Sequence, residues 1–419
     1  MASASPRLAA APRRGGALRF WLRDIWGPRW DRERRALLLQ HYRSHLQSGP
    51  VPAEHAPSPD PAAIAGQRQF SDHYRRRVES VQHGAASARP VRLTYRPIGK
   101  NIRLVGTAIR HHVDLGCATE IMSDGPPTEV AALASEGRTW SPWLWSRTGN
   151  PTDAARCASA ADGWREFFAQ PSRTAADGWS PMAPPPRWRG PGCGAFTPAR
   201  LERTLKLAVA TRYAFTPTAD LEAQLVEWKR AAGWPAAGVP VLGMHVRRSD
   251  AASTEPDAPL RSNRRSFGMS QYLDAADTLC TAYGIRHIFL ATESSVEVAR
   301  AAALRPQYTF LTVAHDRALF PDITVNGQYI EERALARPEI ARPLALSAIR
   351  DLQLFADCQA FVGAFNSEFS LLAWLLAVGG QGHLVPHISL SRPAAGIHLH
   401  PHDALLNLNN NCPLELYHW

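Results

Sequence analysis

The apolar run Val241-Leu242-Gly243-Met244 leads into His245-Val246-Arg247-Arg248-Ser249-Asp250, with Thr254-Glu255 just beyond. Imidazole, guanidinium and carboxylate groups delivered by one strand end are the parts of a site for an anionic ligand. Guanidinium binds phosphate oxygens through a rigid fork of donors. A buried strand is the expected carrier, and in open α/β sheets ligands bind at the carboxyl ends of the strands. Alternation along the strand places His245 and Arg247 on one face and Arg248 on the other. A His and an Arg facing one crevice suit a nucleotide diphosphate. The competing reading is that Arg248 and Asp250 pair at the rim of the fold and bind nothing.

Further polar groups fall where strands end or helices begin. Ala291-Thr292-Glu293-Ser294 follows an apolar run, so Thr292 or Ser294 serves as a helix cap and Glu293 either accepts a ligand hydroxyl or favours the helix terminus. Asn366-Ser367-Glu368 opens a helix, where Ser367 is either a plain cap or part of a phosphate site. Asp351 sits in a helix whose other face is apolar (Leu352, Leu354, Phe355). It either accepts paired donors, such as the edge of a guanine, or pairs with Arg350. The sequence holds no Walker-type loop, no G-x-G-x-x-G, no G-x-S-x-G elbow and no metal-ligand spacing. The expected nucleotide site therefore uses arginine and helix ends, without a metal.

These residues need elements to hold them. From Gly238 onward apolar runs and helical patterns alternate. The expected elements are strand 240–246, helix 270–283, strand 287–291, helix 295–304 and strand 308–313, then helix 344–358, strand 360–365 and helix 368–378. A last strand is expected within 383–388. This alternation predicts an α/β fold with parallel strands covered on both faces. Three zones follow: 1–95, a basic arm and Pro/Ala-rich linker with short helices (31–47 and 67–82), read as an appendage; 96–235, a less regular lobe; and 236–419, the ligand-binding lobe. In the middle zone strands are expected at 91–93 and 102–104, a helix from His111 toward Ile121, and helices at 201–210 and 219–232. The aromatic clusters Trp140–Trp145 and Gly163–Phe168 are either core or stacking surfaces for a sugar.

At 419 residues the chain has room for two ordinary domains. The net charge is +10, yet only Lys100, Lys206 and Lys229 are lysines among 47 basic residues. No basic helix interleaved with aromatics appears, so nucleic acid is not an expected partner. Six scattered cysteines form no C-x-x-C pair, and Cys280 and Cys358 fall within helical patterns as buried thiols. No run of eighteen apolar residues marks a membrane span. The Arg- and Ala-rich start is either a transit-peptide-like arm or a solvated tail.

The sequence resembles the α-1,6-fucosyltransferases, whose members act on the N-glycan core or on chitin oligosaccharides. The resemblance is carried by His245–Asp250 with Ser253-Thr254-Glu255, by Phe289-Leu290-Ala291-Thr292-Glu293, and by Ala348–Ser367 with its Asp351 and Ser367. It covers the C-terminal lobe well and the middle zone weakly. It implies a two-lobed GT-B-like glycosyltransferase with a Rossmann-like nucleotide-binding lobe. It also implies GDP-fucose as donor, an inverting transfer without metal, an oligosaccharide or glycoprotein acceptor, and the Golgi lumen. Carried over, Arg247 holds the β-phosphate beside Ser367, His245 and Asp351 read the guanine, and Glu255 is the general base. Arg248, Asp250 and Glu293 support the donor. The family usually places a Lys directly after the Asp of the first motif, where this chain has Ala251.

Overall fold

The computed structural model describes residues 54–56, 60–84, 88–93, 106, 109–110, 113–114, 118–123, 168, 187–190, 196–248, 267–313, 338–365 and 367–390. All of them belong to one compact unit, Pro52–Pro393. In chain order the elements are β1 (Glu54–Ala56), α1 (Pro61–Gly84), β2 (Ala88–Leu93), β3 (Ala118–Ser123), α2 (Pro198–Ala214) and α3 (Ala219–Ala231). Then come β4 (Val241–His245), α4 (Met269–Tyr283), β5 (His287–Ala291), α5 (Ser295–Leu304) and β6 (Thr309–Leu311). The last are α6 (Pro338–Phe355), β7 (Ala360–Gly363), α7 (Glu368–Gln381) and β8 (His387–Ser389).

The main sheet has the order β1-β8-β7-β4-β5-β6. Strands β4 to β8 pair in parallel, and β1 closes the edge antiparallel to β8. The expected parallel α/β fold is thus the one observed. Leu242 and Met244 of β4, Ile288 and Leu290 of β5, and Ala360 and Val362 of β7 pack on Leu273, Ala276 and Leu279 of α4. The opposite face is aromatic: Phe289, Phe355 and Phe361 meet at 5.0–5.5 Å, and Phe361, Phe365 and Trp374 continue the series. α7 crosses this face against α2. At Gly379 an added Cβ would meet the carbonyl oxygen of Ala208 in α2, and at Gly380 that of Ala356 just after α6. Only residues without side chains allow so close an approach of backbone to backbone.

Three expectations change. α1 is no appendage: Phe70, Tyr74, Val78 and Val81 are buried, and Gln67 Oε1 accepts the Leu384 amide at 2.8 Å. These residues recur at helical spacing along one narrow stripe of an otherwise polar helix, which composition alone conceals. Part of the Pro/Ala-rich linker supplies edge strand β1. The helix expected from His111 toward Ile121 gives way at Ala118 to β3, because the backbone there pairs in parallel with β2, Ala88 opposite Ala118 through Leu93 opposite Ser123. The 31–47 helix, the 102–104 strand and the Trp140–Trp145 cluster lie outside the described residues. Of the second cluster, Phe168 is fully buried against Phe215 and is core.

Candidate functional site: the switch point of the sheet

From β4 the chain moves outward through β5 to β6, then returns to place β7 on the other side of β4, followed by β8. At such a reversal the connections leave in opposite directions and open a crevice at the strands' carboxyl ends. Here that crevice lies between the end of β4, carrying His245 to Arg248, and the end of β7, leading to Ser367.

His245 points away from α4, toward α7. Its Nδ1 is 2.6 Å from Ser370 Oγ, and its ring lies 4.6 Å from the Phe369 ring at 32°. Burial, and secondarily the charge of Arg247, lower its pKa to about 3. The ring is therefore neutral at physiological pH. A histidine held below its ordinary value contributes stability that is complete above about pH 6.5 and is lost as pH falls toward 3. Between pH 7 and pH 5 this one residue is expected to remove about 2 kcal/mol of folding stability. Urea unfolding at both pH values checks this. Wild type should lose more stability than His245→Gln, and equal losses would place the imidazole in water.

Arg247 is half-buried beyond the strand. Arg248 turns to the opposite side, as alternation requires. Its amide donates to Glu293 Oε1 at 2.7 Å, its Nε to Glu297 Oε1 at 3.0 Å, and its guanidinium to the Phe267 carbonyl. Arg248 and Glu293 thus tie the end of β4 to the end of β5. Arg248 also draws together the two ends of the connection that contains Asp250 and Glu255. Those two residues themselves lie outside the described residues. Ser294 caps α5 by accepting the Glu297 amide at 3.3 Å, and Thr292 Oγ1 accepts the Ser294 amide at 3.3 Å. The capping role thus falls to Ser294.

Ser367 stands at the N-cap position of α7 with extended backbone (φ −99°, ψ 121°), yet its side chain makes no capping bond. It is 3% exposed, and among the described residues its Oγ has no hydrogen-bond partner. A buried hydroxyl left unsatisfied costs about 1–3 kcal/mol. A helix N-terminus with free amides beside such a hydroxyl is prepared for an anion. Ser367→Ala is therefore expected to leave the melting temperature of the ligand-free protein unchanged or higher. The same change should weaken binding of an anion at this helix end roughly five- to tenfold. A melting temperature lowered by several degrees would instead show that the hydroxyl caps the helix in solution.

Asp351 lies one turn before Phe355, whose ring packs over Gly243 in the middle of β4. With a rise of about 1.5 Å per residue, the helix carries Asp351 about 6 Å toward the carboxyl edge. Its side chain is 13% exposed, and Oδ1 accepts from Arg350 Nε and Nη2, each at 3.3 Å. Arg350 also donates to Ser347 and lies 5.4 Å from the Trp228 ring centroid. The pairing open from sequence is therefore present. Sequence reasoning missed Phe369 and Ser370, although their place in the first turn after Ser367 is a signal that they face the same crevice. Among the described residues no group of three His, Cys, Asp or Glu side chains could hold a metal, and no helix is long and apolar enough to cross a membrane.

No protein-family model and no curated protein matches the chain. Among solved structures it is similar to the α-1,6-fucosyltransferase NodZ soaked with GDP-fucose, at 17% identity over 40% of this chain and 47% of that one, TM-score 0.25. It is similar to the NodZ fucosyltransferase from Bradyrhizobium at 14% identity over 69% and 92%, TM-score 0.36. It is also similar to POFUT1 in complex with GDP at 10% identity over 73% and 98%, TM-score 0.33. At such identities and scores these are likenesses, and no residue of the site described above is assigned by them.

Proposed function

We propose that this chain is an inverting glycosyltransferase that moves fucose from GDP-fucose to a hydroxyl of a GlcNAc-containing oligosaccharide. The observation that carries the reading is the buried, unpartnered Ser367 hydroxyl at the head of α7, across the switch point from the strand that delivers Arg247. An anion fills that place, and a diphosphate extends it to the guanidinium. The fucosyl motifs of the sequence narrow the anion to GDP-fucose.

In this reading Arg247, Ser367 and the first amides of α7 hold the β-phosphate. His245 and Asp351 take the guanine, while Arg248, Glu293 and Asp250 fix the frame. Residues 96–235 form the acceptor side of a two-lobed enzyme. Glu255 removes the proton from the acceptor hydroxyl as its oxygen attacks the anomeric carbon from the face opposite the phosphate. The bond from that carbon to the β-phosphate oxygen breaks, and GDP leaves with the added negative charge. Cationic and amide donors aimed at the departing diphosphate stabilise it, and the base completes the transfer.

Ala251, where the resembled family carries Lys, favours a second reading: a protein that binds the donor without turning it over. Calorimetric titration with GDP, with ADP and UDP as controls and no added metal, is the test. GDP-selective binding is expected, and absence of binding overturns the proposal. Incubation with GDP-fucose and chitin oligosaccharides then separates the two readings. Release of GDP coupled to fucosylated product supports the enzyme, and tight GDP binding without product supports the binding protein. Fucose found instead on a protein hydroxyl would identify a protein O-fucosyltransferase.

A further inference from the structure

We infer that Ser370 is a positioning residue that fixes the tautomer of His245, so that the imidazole presents Nε2–H to the bound base as a neutral donor. The inference rests on the nucleotide reading of the crevice. Three contacts support it. Ser370 Oγ lies 2.6 Å from His245 Nδ1, short for a hydroxyl to imidazole hydrogen bond. The same oxygen accepts the Ala364 amide at 3.4 Å, so one lone pair is already engaged and its proton is available for donation. Both residues are buried, Ser370 at 1% and His245 at 7% exposure, so water does not compete for the contact.

A neutral imidazole has one N–H and one acceptor nitrogen, and the partner of one nitrogen decides the state of the other. With Nδ1 accepting from Ser370, Nε2 carries the proton. Phe369, the preceding residue, lies against the ring face, so two neighbouring residues of α7 fix both the plane of the imidazole and its protonation. The consequence is selectivity. A donor fits the N7 and O6 acceptors of a 6-oxopurine, whereas adenine offers an amino group in place of the oxo oxygen. His245 in the other tautomer would turn an acceptor toward those same atoms.

Long-range proton–nitrogen correlation of imidazole signals in the free protein tests the tautomer directly, with His245 assigned by the signal missing from His245→Gln. A single Nε2–H pattern is expected, and an Nδ1–H pattern overturns the inference without any need for GDP binding. Ser370→Ala should then show a mixture of tautomers. It should bind GDP five- to twentyfold more weakly and discriminate less between GDP and ADP. In a His245→Ala background, Ser370→Ala should have no further effect on GDP affinity, since its action passes through the ring. An equal loss in both backgrounds would make Ser370 a packing residue only and overturn the inference. If the wild type binds no GDP, the functional proposal fails, while the tautomer measurement still decides whether Ser370 sets the imidazole.

Discussion

Arg247→Ala is expected to weaken GDP binding by about 2–4 kcal/mol, roughly 30- to 1000-fold, the largest affinity loss of any single change in the crevice. Truncating one partner of a desolvated charge pair leaves the other charge without compensation, which is why the loss exceeds that of a neutral hydrogen bond. Arg247→Lys should recover only part of it, because an ammonium keeps the charge but not the planar fork. The neighbouring arginine should behave differently. Arg248 is committed to Glu297 at 3.0 Å and to the Phe267 carbonyl, with 16% of its side chain exposed. Arg248→Ala should therefore lower the melting temperature and loosen the connection that follows β4. Calorimetry and thermal unfolding on both alanine variants separate the two roles. An unchanged dissociation constant in Arg247→Ala would remove that residue from the phosphate site.

Glu255→Gln is expected to reduce transfer by about 100-fold or more while GDP affinity stays within about twofold. The amide has the shape of the carboxylate and none of its basicity, so it isolates proton removal from binding. The connection that contains Glu255 begins at Arg248 and ends at Phe267, whose carbonyl Arg248 holds. Only these two ends, Arg248 and Phe267, are among the described residues, and the contact between them brings the ends of the connection together. Initial rates of GDP release with a saturating oligosaccharide acceptor measure the effect. A mutant that transfers at a comparable rate would take the base role away from Glu255.

The sheet and its site were legible to different depths. Strand β5 and helix α5 stand at 287–291 and 295–304 as the pattern predicts, since each is bounded by its own local signals: an apolar run, then the Ser294 cap. α6 begins six residues before the expected Leu344. Pro338 is well suited to a helix start, while Pro343 interrupts the pattern although the helix runs through it. Strand order was not legible. The return of β7 to the side of β4 depends on which faces are buried across the sheet, and that reversal creates the crevice. The positions of His245, Arg247 and Ser367 at element ends could be read from sequence because they depend on local pattern alone. The Ser370 contact was not, because it joins residues 125 positions apart and exists only once α7 lies on β4.

The two glycines near the end of α7 bear on any attempt to retune this protein. Gly380 lies thirteen residues from Ser367, about 20 Å along the helix. There, α7 has no side chain with which to take up an adjustment against Ala208 or Ala356. A library meant to change what the crevice binds gains little from sequence variation at this distant seam. Enlarging either glycine would push α7 away from Ala208 or Ala356 and carry Ser367 at its other end out of register with the end of β4.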